Sequence, residues 1–319
     1  MKRILTVVAA TLIAGGALAQ SAWPSKPVKL IVPFTAGSIT DIMARTVSEA
    51  MSKGLGQPVI IENRPGAGGT IGAGQVAKSE PDGYTVLIVS SGHVLNPAIY
   101  PSLPYDTLKD LSGVTPLAAV PNVLVVSPER GWKTLGDMLA AAKAKPGQMN
   151  YASAGTGSAT HMNAEKFKLK AGIDVQHVPF KGTPEAMTDV IGGRNDWCFA
   201  PLAAALPLIK DGRLQALAVS PAQRSPSLPN VPTTVEAGVP GSDYMLWVGM
   251  IVPSATPAAV VRRLNEEVVK ALATPDVKER MAKLGAEPFT LEPAAFNAFI
   301  RTEMESAALI AKTANLKAQ

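Results

Sequence analysis

Short apolar runs alternate with helical patterns along most of the chain. Val28–Val32 is an apolar run that breaks at Pro33 and Gly37, and a helical pattern follows over Thr40–Lys53. Gln57–Glu62 and Tyr84–Ser90 read as further strands around a helix at Thr70–Ala77. The same alternation continues with strands at Ser112–Val120, Val123–Val126, Tyr151–Ser153, Ile173–Val178, Trp197–Ala200 and Leu214–Ser220. Between them lie helical patterns at Leu135–Ala144, Ala159–Leu169, Glu185–Ile191 and Pro201–Lys210. Pro221–Pro240 reads as a long surface crossing with one short helix, Asp243–Val252 as a strand, and Pro257–Leu272, Pro275–Leu284 and Pro293–Leu316 as helices. Strand followed by helix, repeated, predicts two doubly wound α/β units with mostly parallel sheets.

Three helix starts share one grammar. Ser38-x-x-Asp41 has capping-box spacing, Ala154-Gly155-Thr156-Gly157-Ser158 leads into the helix at Ala159, and Thr183-Pro184 opens the next. First-turn amides have no partner inside their own helix, and they sit at the positive end of its dipole. Each start is therefore ready for an anion. We expect these loops to face each other across a cleft and to hold a small carboxylate. His161 lies in a first turn, where the positive helix end favours a neutral ring. Ser90, Ser91 and Asn96 follow a strand end, where ligands sit in open α/β sheets; capping of the turn is the competing role.

Composition narrows the class. The chain has 319 residues, 47% hydrophobic and 5% aromatic, with 27 Gly and 27 Pro, enough for two domains with full cores. Lys2 and Arg3, the apolar run Ile4–Ala14 and Ala17-Leu18-Ala19 form a secretory leader, residues 1–19. The run falls short of the ~20 residues a spanning helix needs. Two of the 30 basic residues lie in that leader, so 28 remain against 25 acidic, a net charge of +3. No basic run accompanies it, and we expect no nucleic-acid partner. The single cysteine, Cys198, excludes an intrachain disulfide and reads as core packing. His93, His161 and His177 have no metal-ligand spacing, so neither metal nor cofactor is expected. Gly66-x-Gly68 begins like a dinucleotide fingerprint, but Ile71 stands where the third glycine belongs.

Several segments in order resemble the Bug-type periplasmic solute-binding proteins of tripartite tricarboxylate transporters. They are Trp23–Pro27, Ile31–Phe34 through Asp41 with Ala44-Arg45, Ile61–Gly66 with Gly68-Gly69, and Pro81–Tyr84. Asn96-Pro97, Tyr151–Ser153 with Gly155 and Gly157, His161, Val178–Gly182, Leu228–Thr233 and Ala237-Gly238 continue the match. The resemblance implies a periplasmic Venus-flytrap fold of two α/β lobes: residues 23–120 plus 221–319 in one, 121–220 in the other. It implies no enzyme, but binding of a small organic acid (a dicarboxylate, aromatic acid or amino acid) for membrane transporter subunits, with bridging waters assisting. We expect a monomer.

Carried onto this sequence, the first lobe's contacts are Phe34, Thr35, Ala36, Gly37, Ser38, Ser90, Ser91 and Asn96. The second lobe's are Ser153, Thr156, Gly157, Ser158, His161, Phe180, Lys181, Gly182 and Asp196. The family's first loop often runs Pro-Gly-Gly; here Ala36-Gly37-Ser38-Ile39 narrows and partly dries that end. A periplasmic serine hydrolase using Ser158 and His161 is the alternative, although no Gly-x-Ser-x-Gly elbow occurs. A scaffold lobe without a ligand is a third reading.

Overall fold

A computed structural model describes residues 23–313 and 316–317. The expected leader lies outside the described residues. In chain order the elements begin β1 (Val28–Val32), α1 (Ile39–Leu55), β2 (Val59–Asn63), α2 (Thr70–Ala77), β3 (Thr85–Ser90) and the short α3 (Asn96–Ile99). They continue with β4 (Leu111–Val126), α4 (Leu135–Ala144), β5 (Asn150–Ser153), α5 (Ala159–Ala171), β6 (Gln176–Pro179), α6 (Thr183–Ile191), β7 (Trp197–Pro201), α7 (Leu202–Lys210) and β8 (Gln215–Val219). The chain closes with β9 (Met245–Pro253), α8 (Ala258–Ala273), α9 (Pro275–Lys283), β10 (Glu287–Pro288) and α10 (Pro293–Thr313).

Strands run in the order β2-β1-β3-β9-β4-β7-β5-β6, and β8 and β10 also pair with β4. The outer pairs, β1 with β2 and β3 and β5 with β6 and β7, are parallel. Around β4 and β9 every pairing is antiparallel, which the strand–helix rhythm does not reveal. The expected breaks at Pro121 and Asn122 do not occur: β4 is one strand of 16 residues. Its first part pairs with β9 as far as Pro121↔Met245, and from Asn122 its partners are β7 and β8. Pro121 donates no backbone hydrogen bond, so the partner switch falls where a donor is already missing. The crossing 221–240 holds turns and no helix.

Each half has its own core. On α1, Ile39, Met43, Val47, Met51 and Leu55 form an apolar stripe, each residue four after the last, that packs against the β1–β3–β9 layer. In the other half, Leu124 and Val126 with Trp197 and Phe199 face one helical layer, while Val123 and Val125 with Cys198 and Ala200 face the opposite one. Both sheet faces are therefore dry. Burial pushes the Cys198 thiol up to about 12, which keeps it a packing group.

α10 docks through Phe296, fully buried, into a socket floored by two glycines. A Cβ on Gly113 would lie 2.5 Å from its ring, and one on Gly249 2.6 Å. Trp247 meets the ring edge-on at 5.6 Å. Gly249→Ala should destabilise the fold by about 1–3 kcal/mol through overpacking, and Phe296→Leu in that background should recover part of the loss. Denaturant midpoints of the two variants and the parent check both expectations.

Candidate functional site

The starts of α1 and α5 are built alike. Gly37-Ser38-Ile39-Thr40-Asp41 and Gly157-Ser158-Ala159-Thr160-His161 each open with a left-handed glycine, φ 80° and 86°. Ser38 and Ser158 then take nearly the same conformation, φ −70° with ψ 159° and 162°. In each, the glycine amide donates to the side chain four residues on: Gly37 to Asp41 Oδ2 at 2.9 Å, Gly157 to His161 Nδ1 at 3.2 Å. The amides of Ile39 and Thr40, and of Ala159 and Thr160, find no acceptor among the described residues.

The hydroxyls differ. Ser158 Oγ accepts from the His161 amide and so caps α5. The capping box expected at Ser38 is not made: Asp41 accepts from the Gly37 amide and not from that of Ser38, and the Ser38 hydroxyl has no partner although the residue is only 2% exposed. A true capping box closes on Thr134 and Asp137 instead, at α4.

Between the two helix starts lies a small cavity of about 10 Å³, room for about one water. Ser38, Ser90, Ser158, Thr160 and Thr183 give it polar atoms; Phe34, Ile39, Pro201 and Leu246 give it apolar walls. No charged side chain lines it. A neighbouring recess of about 10 Å³ shares Phe34 and Ser90 and adds Gly68, Gly69, His93 and Asn96. Both amide atoms of Asn96 and Nε2 of His93 are buried without a partner there.

Not every expected residue reaches these cavities. Ser91 shares a 2.7 Å hydrogen bond with Tyr244, and Ser153 one of 2.6 Å with His177 Nε2. Thr156 acts through its carbonyl, which accepts from Tyr100 across the cleft at 2.9 Å. Thr35 donates to Glu185 across the cleft, and Gly182 packs against Thr35. Gly37 faces Pro184, and Gly157 faces Asn96. Ala36 and Lys181 are exposed, and Phe180 is half-buried on the second lobe's core. Asp196 sits at the far end of β7 from Pro201, accepting from the Asn150 amide and pairing with Arg130 at 2.9 Å; it fastens a strand start and lies outside the cavity. Ile39, Thr160, Thr183, Pro201 and Leu246 also line the first cavity. Of these only Ile39 and Thr183 carried a signal, as loop and cap residues; Pro201 and Leu246 sit in strands whose unbroken apolar sequence hides which residue ends at a cleft.

Buried charge is arranged behind both helix starts. Burial raises the Asp41 carboxyl, but Arg45, the Gly37 amide and Asn63 outweigh it and hold the group below its usual range. On the other side, His161 stacks on His177 at 4.2 Å and His177 on Tyr151 at 4.9 Å. The Tyr151 hydroxyl donates to Glu165, which Lys168 pairs at 2.8 Å. Burial, with Lys168 nearby, pushes His161 down to about 4. Burial and then His161 push His177 to about 3, and burial alone takes His93 to about 4. A neutral His161 is what its acceptor role at Nδ1 requires.

Folding thus holds three histidines neutral that the unfolded chain protonates near 6.5, so the unfolded state binds more protons below that pH. Stability should fall from about pH 6.5 towards about pH 4, by a few kcal/mol in all. Urea unfolding at pH 7.5, 5.5 and 4.5 reads this directly; a flat profile would contradict it.

The hydrolase alternative fails here, since the Ser158 hydroxyl meets the His161 backbone amide and the imidazole Nδ1 is engaged by Gly157. Residues 43–316 match the model of the family described as Tripartite tricarboxylate transporter family receptor. The chain is similar to Protein BugT of Bordetella pertussis, 36% identical over 310 residues that cover 96% of this chain and 95% of that one. Its structure is similar to that of periplasmic binding protein BugD, with TM-score 0.88 and 32% identity over 93% of this chain and all of the other, 100%. R. palustris Rpa4515 with adipate matches at TM-score 0.89 and 34% identity, covering 92% of this chain and 99% of that one. The chain belongs to the receptor family of the tripartite tricarboxylate transporters: it is a solute-binding receptor for transport, not an enzyme.

Proposed function

We propose that this receptor holds a small organic carboxylate between the starts of α1 and α5 and delivers it, as a monomer, to the membrane subunits of a tripartite transporter. The observation that carries the reading is the matched pair of helix starts, whose free amides and unpartnered Ser38 hydroxyl share one small cavity. An anion there completes hydrogen bonds that the protein leaves open, and two helix dipoles favour it. The adipate bound by a relative is a ligand of this chemical kind. The lobes would be residues 23–120 plus 221–319 and residues 121–220, hinged where β4 changes partners at Pro121. Residues 1–19 would direct export to the periplasm and be cleaved.

A panel of organic acids in thermal-shift and calorimetric titrations tests this, because a true ligand stabilises the folded state by mass action. Ser38→Ala should weaken binding by about tenfold, the loss of one charge-assisted hydrogen bond, with unfolding unchanged because no protein partner is lost. Ser158→Ala should also cost about 1 kcal/mol of stability, since it removes the α5 cap. Binding that is indifferent to Ser38→Ala would remove that hydroxyl from the site. The exported protein should begin at Gln20 by N-terminal sequencing.

A further inference from the structure

A carboxylate stands beside the cavity with no cation to match it. Glu185 lies in the first turn of α6, half-buried, and its Oε2 accepts from Thr35 Oγ1 across the cleft at 2.9 Å. Its distance from the cavity wall follows from Gly182. A Cβ built there would lie 2.8 Å from Ser38 Oγ and 2.9 Å from Glu185 Oε2, so the two oxygens are separated by no more than the sum of those lengths. The Ser38 hydroxyl lines the cavity, is buried and has no partner.

Lys181, four residues before Glu185, is exposed and forms no ion pair with it, and the other cations on these elements are taken. Arg45 is engaged by Asp41, Arg64 by Glu62, Arg194 by Asp189 and Lys168 by Glu165. Among the described residues no Lys, Arg or His comes within ion-pair distance of Glu185, and none of the cavity lining is charged. Besides the field of the α6 start, one neutral hydroxyl therefore serves a carboxylate partly removed from water. That is a poor exchange for its hydration unless a stronger donor arrives.

The geometry points to Glu185 as the residue that sets ligand class: the guest is a carboxylate that also carries an ammonium group, an amino acid rather than a diacid. This rests on the proposed carboxylate site between α1 and α5. The guest's carboxylate takes the free amides, its ammonium donates to Glu185, and Ser38 stands between. A second carboxylate in that position would face the Glu185 charge at close range in a site partly shielded from water, where repulsion is least screened.

The competing role is a simple latch, in which Glu185 only ties the lobes together through Thr35. Glu185→Gln separates the two, because the amide oxygen still accepts from Thr35 while the charge is gone. The mature chain and this variant are titrated calorimetrically with acids of three to six carbons. Each length comes in three forms: ammonium-bearing, methyl-terminated and dicarboxylate. The parent should bind the best ammonium acid about 10- to 100-fold more tightly than its matched diacid, the range of a charge-assisted hydrogen bond. Glu185→Gln should shrink that ratio to about threefold or less, leave the methyl-terminated acid unchanged, and unfold at the parent's temperature. A parent that prefers the diacid overturns the assignment, and so does a variant that weakens all three forms equally, the signature of a latch. If methyl-terminated or dicarboxylic acids bind and ammonium acids do not, only the ammonium assignment falls. If no acid of any form binds, the carboxylate site falls and takes this assignment with it.

Discussion

Backbone amides at a helix start need an acceptor, and this protein leaves two such sets open toward the same small space. Everything else at the site can be read as support for that exposure. Left-handed glycines at 37 and 157 turn the loops, and Asp41 and His161 fasten each turn by accepting the glycine amide. Apart from the His161 amide, which Ser158 caps, the first-turn amides stay free because no side chain has been placed to take them. Apolar walls from Phe34, Ile39, Pro201 and Leu246 keep competing water few, which strengthens any hydrogen bond made inside.

The two sets can meet only because of how the strands are joined. β4 belongs to both halves, and β9 returns beside it, so the halves are linked by continuous pleated backbone rather than by a loose tether. α1 and α5 each follow a parallel strand, β1 and β5, and so both point their starts at the strand ends that face the cleft. Thr35 with Glu185 and Tyr100 with Thr156 then bridge the mouth.

Much of this was legible in the residues themselves. Gly, Ser, Thr and Pro mark helix starts because they change what the backbone can do locally, and the starts at Ser38, Ser158 and Thr183 do line one cavity. The continuity of β4 was hidden, since Pro121 reads as a stop and only the partner strands show that it is a switch. Asp196 misled because a carboxylate beside a strand looks the same in sequence at either end of it; here it sits at the end away from Pro201. Ser91 and Ser153 misled for another reason: their hydroxyls are spent on Tyr244 and His177, partners distant in sequence. Glu185 gave no sign beyond being an acid in a first turn, which any helix tolerates.

The two helix starts differ at their third and fifth residues, and the second of these differences bears on how a guest lies. Asp41 backs one wall with a fixed negative charge, tied to Arg45, while His161 backs the other with an uncharged ring. Two walls with the same backbone turn thus present different fields. A molecule whose two ends differ therefore meets walls that differ too, so turning it around changes its energy, and the lobes decide which way it faces.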